Sequence, residues 1–395
     1  MAEQLKRRIG LGLLTAYGVG VMVGAGIYVL VGAVAGQAGL WAPVSFLLAG
    51  AIAAPTALSY AEFSTRIPEA AGEAAYVGTA MRSEVLALLM GLAIVAVGMI
   101  SAAAVLRGGV GYLLAVVDLP RTLAILAIGG ALTVVAVIGV MESLSLAALF
   151  TAVELLGLAL VVWAGANAPP VTVTQALPVP LWPAIGAGAV LAFFAFIGFE
   201  DIVNMAEEVA RPERNLPLAI ILSLVLTTLI YTLVAWATVR AVPLATLSGS
   251  EKPLALVWQA GAGGEGRFLS AIAVFAAMNG VLAQIVMASR VLFGLGKRSP
   301  ALALFHHAHP RFATPVLVSL LIGAGVILGA LLLDVGVLAE ATSSTLLGVF
   351  VVINLALILL KRRAPAAPFR VPMAVPVCGL VLSAGALAAN LFAAS

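Results

Sequence analysis

Residues 11–35 read LGLLTAYGVGVMVGAGIYVLVGAVA, a run without a charged side chain that is punctuated by Gly18, Gly20, Gly24 and Gly26. About 20 apolar residues in helical form cross the hydrocarbon core of a bilayer, so this stretch is long enough to span one. Residues 183–205, PAIGAGAVLAFFAFIGFEDIVNM, form a second such run, interrupted at Ile197-Gly198-Phe199 with Glu200 and Asp201 directly after the interruption. Lys6-Arg7-Arg8 and Ala33-Val34-Ala35 give the first run the outline of a secretory signal. Its apolar length exceeds the roughly 7–15 residues of a signal's hydrophobic region, so it reads as an uncleaved first span.

Working outward, apolar runs recur near 11–35, 41–61, 84–117, 121–140, 143–165, 183–205, 216–240, 267–296, 314–333, 336–360 and 374–394, eleven in all. The chain is 63% hydrophobic and 9% charged, against roughly a quarter charged in soluble domains. So few charges do not cover a water-exposed surface. Backbone groups in hydrocarbon must bond within the spanning element, which leaves helices or a closed barrel. Barrel strands would be short and alternating, whereas these runs are long and continuous. The expected fold class is an all-α polytopic membrane protein, one membrane domain over 1–395.

Basic residues orient it. With the N-terminus in the cytoplasm, 15 of the 20 Lys and Arg residues face inward, four face outward and Arg107 lies within a span. That asymmetry favours a multi-pass protein of the cytoplasmic membrane, with the C-terminus outside because the span count is odd. The pI near 9.2 then reflects basic loops in contact with a lipid bilayer, with no nucleic-acid partner. A lone cysteine, Cys378, excludes an internal disulfide framework.

The breaks in spans one and six fall at the first members of two five-span sets, about 8–165 and about 183–360, with an additional span at 374–394. Hydrophobic segments interrupted at corresponding positions of two halves point to a transporter binding site. Gly18-Val19-Gly20-Val21-Met22-Val23-Gly24 is no dinucleotide fingerprint, because it lies inside a span without a βαβ unit. What Val23-Gly24-Ala25-Gly26-Ile27 offers is unwound backbone at mid-membrane, whose N–H groups suit a carboxylate. The matching break frees carbonyls from about Phe194 to Ile197, suited to an ammonium, with Phe193, Phe194, Phe196 and Phe199 as walls.

These segments carry a family resemblance. Val23-Gly24-Ala25-Gly26-Ile27-Tyr28 resembles the first-span signature of the amino acid–polyamine–organocation superfamily. Ser59-Tyr60-Ala61-Glu62-Phe63 and Pro68-Glu69-Ala70-Ala71-Gly72-Glu73 are similar to its second-span end and following loop. The run from Phe193 to Ile220, FFAFIGFEDIVNMAEEVARPERNLPLAI, resembles its sixth-span motif through to the seventh. Ala288-Ser289-Arg290-Val291-Leu292-Phe293 and Thr314-Pro315 match its eighth span and the loop after it. Arg107-Gly108-Gly109-Val110-Gly111-Tyr112 is similar to the cationic amino acid transporter branch. The resemblance implies a leucine-transporter-type fold of two inverted five-helix repeats with broken first and sixth helices. It implies a substrate site at Val23, Gly24, Ala25, Gly26 and Ile27 facing Phe194, Ala195, Ile197, Gly198 and Phe199.

Many proton-coupled members carry a lysine midway along span five, in a run resembling T-x-x-K-L; here the run is Thr151-Ala152-Val153-Glu154-Leu155. A charge at mid-membrane costs about 2.5–3.5 kcal/mol on insertion scales, so an acid there is rarely idle. Glu154 is expected to exchange the coupling proton, pair with a substrate ammonium or help hold a cation; the plainer alternative is a fixed ion pair with Arg107. Glu200 and Asp201 are further coupling candidates, with helix capping as their ordinary role. Glu207, Glu208, Arg211, Glu213 and Arg214 read as a solvated network, and His306, His307 and His309 as loop polarity.

No catalytic residue, metal site or cofactor is expected. All three histidines lie in one loop, which disfavours a membrane-embedded enzyme. The expected function is secondary active transport of amino acids or related amines by alternating access, proton-coupled or exchanging. A polyamine or amine antiporter is the alternative.

Overall fold

A computed structural model describes residues 9–67, 72–114, 116–138, 144–171, 179–206, 209–309 and 314–393, without the side chains of 25, 144–147, 204 and 390–393. Lys6, Arg7, Arg8, Pro68, Glu69, Ala70, Ala71, Glu207 and Glu208, named above, and Arg311, counted among the 15 inward basic residues, lie outside the described residues.

The helices are α1 (Leu11–Ala38), α2 (Ala42–Arg66), α3 (Gly72–Met81), α4 (Glu84–Leu114), α5 (Arg121–Ile138), α6 (Leu144–Asn167) and α7 (Trp182–Phe193). They continue with α8 (Pro212–Ala241), α9 (Leu244–Ser248), α10 (Pro253–Ala262), α11 (Arg267–Arg298), α12 (Val316–Leu332), α13 (Val335–Arg363) and α14 (Ala374–Ala393). Among the described residues, 8 helical stretches are long and apolar enough to cross a membrane. Shorter apolar helices cover Leu11–Gly24, Val316–Leu332 and Ala374–Ala389. An apolar helix therefore stands at each expected span, and the protein is an all-α polytopic membrane protein.

Two features depart from the sequence expectation. The sixth span is α-helical only to Phe193; it continues as 3-10 turns over Phe194–Phe196 and Glu200–Met205. The connection after α8, where no span was expected, holds α9 and α10, which pack on α1 and α6. Proline in the first turn sets several starts, at α2, α7, α8 and α10, where the missing N–H removes no helical bond. α1 stops at Gly39, whose φ of +59° suits glycine.

α1 lies centrally, against α8, α7, α6 and α11, while α4 packs along α11 and α13. Polar contacts fix the outer helices. Asn354 on α13 donates to Thr56 Oγ1 at 2.8 Å and accepts from Ser59 Oγ at 2.7 Å, both on α2. Beside this pair Gly379 of α14 packs so closely that no side chain fits against Asn354.

At the end of α2 the Glu62 carboxylate is fully buried and takes Lys361 Nζ at 2.6 and 2.9 Å, Arg66 Nη2 at 2.6 Å and the Val371 N–H at 2.9 Å. Lys361 also reaches the Val371 carbonyl at 2.6 Å. Removing one member of a buried ion pair leaves the other charge stranded, at a cost of about 3–5 kcal/mol. Lys361→Met should therefore lower unfolding stability in detergent by about 3 kcal/mol, the low end because Arg66 stays on Glu62. Denaturant titration reads this directly; an unchanged midpoint would show that the network contributes nothing.

Candidate functional site

Both breaks are present in the backbone. α1 leaves helical dihedrals at Gly24 (φ −19°, ψ −169°). The sixth span turns extended at Ile197 (φ −60°, ψ 132°) and then takes φ +121° at Gly198. The broken segments touch. A Cβ at Gly26 would lie 3.1 Å from Ala195 Cα, and one at Gly198 would lie 3.1 Å from the Val21 carbonyl carbon. Any larger residue at either position forces the two backbones apart. Gly198 is held twice, since its φ is one that side chains rarely adopt.

Opened backbone in a membrane interior needs partners. Tyr231 of α8 supplies one for both breaks: its hydroxyl lies 2.6 Å from the Met22 carbonyl and 2.9 Å from the Ala195 carbonyl. A phenol has one proton, so the two carbonyls share it. Tyr28, directly after the first break, donates to the Glu154 backbone carbonyl at 2.9 Å, and Tyr112 donates to the Tyr28 carbonyl at 2.6 Å. Three buried tyrosines thus tie the breaks to α4, α6 and α8.

A cavity opens between the breaks, with about 70 Å³ available to the centres of water molecules. One such centre occupies roughly 10–15 Å³, so the space holds several waters or a small solute. Gly20, Gly24 and Gly26 line it from α1, and Phe194 and Ile197 from the sixth span. Ser101 and Val105 of α4, Thr151 of α6, and Asn279, Gly280, Ala283 and Gln284 of α11 form the remaining wall. At Gly24 a Cβ would meet nothing within 4 Å.

Of the expected binding residues, Gly24, Gly26, Phe194 and Ile197 line this cavity. Val23, Ile27 and Ala195 are buried beside it, and the Ala25 side chain lies outside the described residues. Phe199, expected as a wall, is not among the lining residues: its buried ring packs at 5.8 Å from Tyr60 and 5.3 Å from Phe350. Phe193 and Phe196 are likewise taken up by Phe350 and Tyr231. The expected free carbonyls are partly engaged, Phe194 accepting from Ile197 N–H at 3.3 Å and Ala195 from Tyr231.

The coupling candidates separate. Arg107 does not reach Glu154; its guanidinium lies 2.6 Å from Asp334 Oδ1 and 2.8 Å from the Ala330 carbonyl. The fixed Arg107–Glu154 ion pair is thereby overturned, because each arginine nitrogen near a partner is already directed elsewhere. Glu154 is 2% exposed and neither carboxyl oxygen has a hydrogen-bond partner of normal geometry; Asn279 is a polar neighbour. Glu200 Oε2 accepts the Gly198 N–H at 3.0 Å, so this acid caps the break. Asp201 is buried, within electrostatic reach of Tyr17, which lines the cavity.

Tyr231, Asn279 and Gln284 were missed from sequence. The one available signal was a phenol or amide within an apolar span, since buried Tyr and amide groups need partners. Tyr231→Phe should lower unfolding stability by about 1–3 kcal/mol, because two buried carbonyls lose their donor together. A melting curve in detergent reads it, and an unchanged curve would leave the shared hydrogen bond without energetic weight.

A family model described as amino acid permease matches residues 9–395. The chain is similar to the branched-chain amino acid permease BcaP of Bacillus subtilis, 28% identical over 96% of this chain and 87% of that protein. It is 29% identical to the methylthioribose transporter of Bacillus subtilis, over 87% of this chain and 78% of that protein. Cationic amino acid transporter 9, chloroplastic, of Arabidopsis thaliana is 30% identical over 78% of this chain, which spans 58% of that longer protein. With nearly its whole length matched, and with helices broken where its glycine motifs stand, the chain belongs to the amino acid permease family.

Proposed function

We propose that the cavity between the two breaks is the transport site, and that the protein carries an amino acid across the cytoplasmic membrane by alternating access. The observation that carries this reading is that Gly24, Gly26, Phe194 and Ile197, from breaks far apart in sequence, face one cavity. Backbone N–H groups at the α1 break take the substrate carboxylate. Carbonyls near Ala195 and Ile197 take its ammonium; each has two lone pairs, so the Tyr231 bond at Ala195 does not exhaust it. The two halves act as inverted repeats with the N-terminus in the cytoplasm, in keeping with the basic-residue asymmetry.

Glu154 is the proposed coupling group. An ionised carboxylate buried beside a neutral amide, with no cation among the described residues paired to it, is costly, and a proton removes that charge. Glu154 does not line the cavity, which favours a proton over direct pairing with a substrate ammonium.

Two variants test the reading in proteoliposomes. Gly24→Val places its Cβ where no atom lies within 4 Å, so it should abolish substrate binding at a smaller cost in melting temperature than a substitution at Gly26. Gly26→Val is the poorer probe, since it strains the contact with Ala195. Binding retained by Gly24→Val would place the site elsewhere. Glu154→Gln should keep substrate exchange yet lose accumulation driven by a pH gradient; retained pH-driven accumulation would remove Glu154 from coupling.

A further inference from the structure

The wall of the cavity opposite the breaks is built differently from the breaks themselves. There the groups are side chains, and among them are a hydroxyl, Ser101 on α4, and two amides, Asn279 and Gln284 on α11. Gln284 is 7% exposed, and its Oε1 is buried without a hydrogen-bond partner. Room for the amide comes from α4: a Cβ at Gly98 would sit 3.2 Å from Gln284 Oε1. Ser101 lies one helical turn along α4 from Gly98, so hydroxyl and amide share one stretch of the cavity wall.

A buried amide with an unmet valence is destabilising until something satisfies it. An aliphatic substrate side chain pressed on this wall would exclude water and leave Ser101 and Gln284 facing hydrocarbon. A hydroxyl or carboxamide side chain can both donate and accept, which matches an amide and a hydroxyl together. No carboxylate lines the cavity among the described residues, so nothing in the wall offsets an ammonium or guanidinium side chain.

Resting on the transport reading above, we propose that this wall, with Gln284 as its specificity determinant, selects neutral amino acids whose side chains carry a hydroxyl or carboxamide. The backbone breaks hold the groups common to every amino acid, and the α4–α11 wall reads what differs. This places the substrate class apart from that named for the branched-chain permease relative.

The test is a binding panel on the purified full-length protein, read by thermal shift and by competition in proteoliposomes. L-Serine, L-threonine, L-asparagine and L-glutamine are compared with L-valine, L-leucine, L-isoleucine and L-lysine. The polar neutral set should bind at least about 10-fold tighter than the aliphatic set. Gln284→Leu should erase or reverse that ratio while leaving some amino acid binding. Aliphatic or lysine binding equal to that of serine in the unaltered protein overturns the proposal, whether or not the variant folds. So does a ratio unchanged in Gln284→Leu. Silence across the whole panel overturns the transport reading as well, whereas indifferent binding across it overturns only the specificity wall.

Discussion

A helix that opens inside a membrane exposes backbone groups that hydrocarbon cannot satisfy, and the rest of this structure is arranged around that constraint. The Tyr231 hydroxyl answers it at two places at once, 2.6 Å from the Met22 carbonyl and 2.9 Å from the Ala195 carbonyl. Because one proton serves both carbonyls, the breaks are linked energetically as well as spatially. Movement of either segment away from α8 changes the share received by the other. The surrounding glycines are the steric half of the same arrangement. Gly26 against Ala195 and Gly198 against Val21 let two backbones approach where side chains would hold them apart. Close approach and the shared donor together leave a small cavity, in place of a collapsed contact.

Charge is handled by the same rule of local satisfaction. Glu62 is fully buried, yet it is surrounded by Lys361, Arg66 and the Val371 N–H, so it ties α2 to α13 and to the segment beyond it. Glu200 is buried too, and it receives an N–H from the strained glycine of its own break. Arg107, within a helix that the sequence places inside the bilayer, reaches Asp334, whose side chain is 81% exposed. Long cationic side chains reach the wet boundary in this way.

The placement of the spanning helices was legible in the sequence because length and continuous apolar character are local properties, readable one segment at a time, whereas the short α3, α9 and α10 lack that length. Both breaks were legible as well: Gly24 and Ile197-Gly198 interrupt apolar runs, and glycine weakens a helix wherever it stands. The partners of those breaks were not. Tyr231 is 209 residues from Met22, and nothing in the α8 sequence states which neighbour its hydroxyl meets. Phe199 shows the reverse difficulty. Its closeness to the break in sequence suggested a wall of the cavity, but the turn at Gly198 swings it toward Tyr60 and Phe350. Arg107 and Glu154 invited pairing as opposite charges at mid-membrane; only the packing of α4 against α12 and α13 shows the arginine directed to Ala330 and Asp334.

Glu154 is what remains once these satisfactions are counted. Its backbone carbonyl holds Tyr28, so the residue is fixed beside the first break, while its carboxyl has no partner of normal geometry. Three other buried acids are answered: Glu62 by cations, Glu73 by the Tyr60 hydroxyl at 3.1 Å and Glu200 by an amide. A carboxyl left unanswered in low dielectric is stable only when neutral or when joined by something mobile. A permanent cationic neighbour would remove that dependence, as Lys361 does for Glu62. The lack of one sets Glu154 apart from Glu62, and the hydrogen bond from Tyr28 fixes its backbone one turn from Gly24. On the transport reading proposed above, a proton on Glu154 and a substrate in the cavity would be joined through a single short stretch of α1.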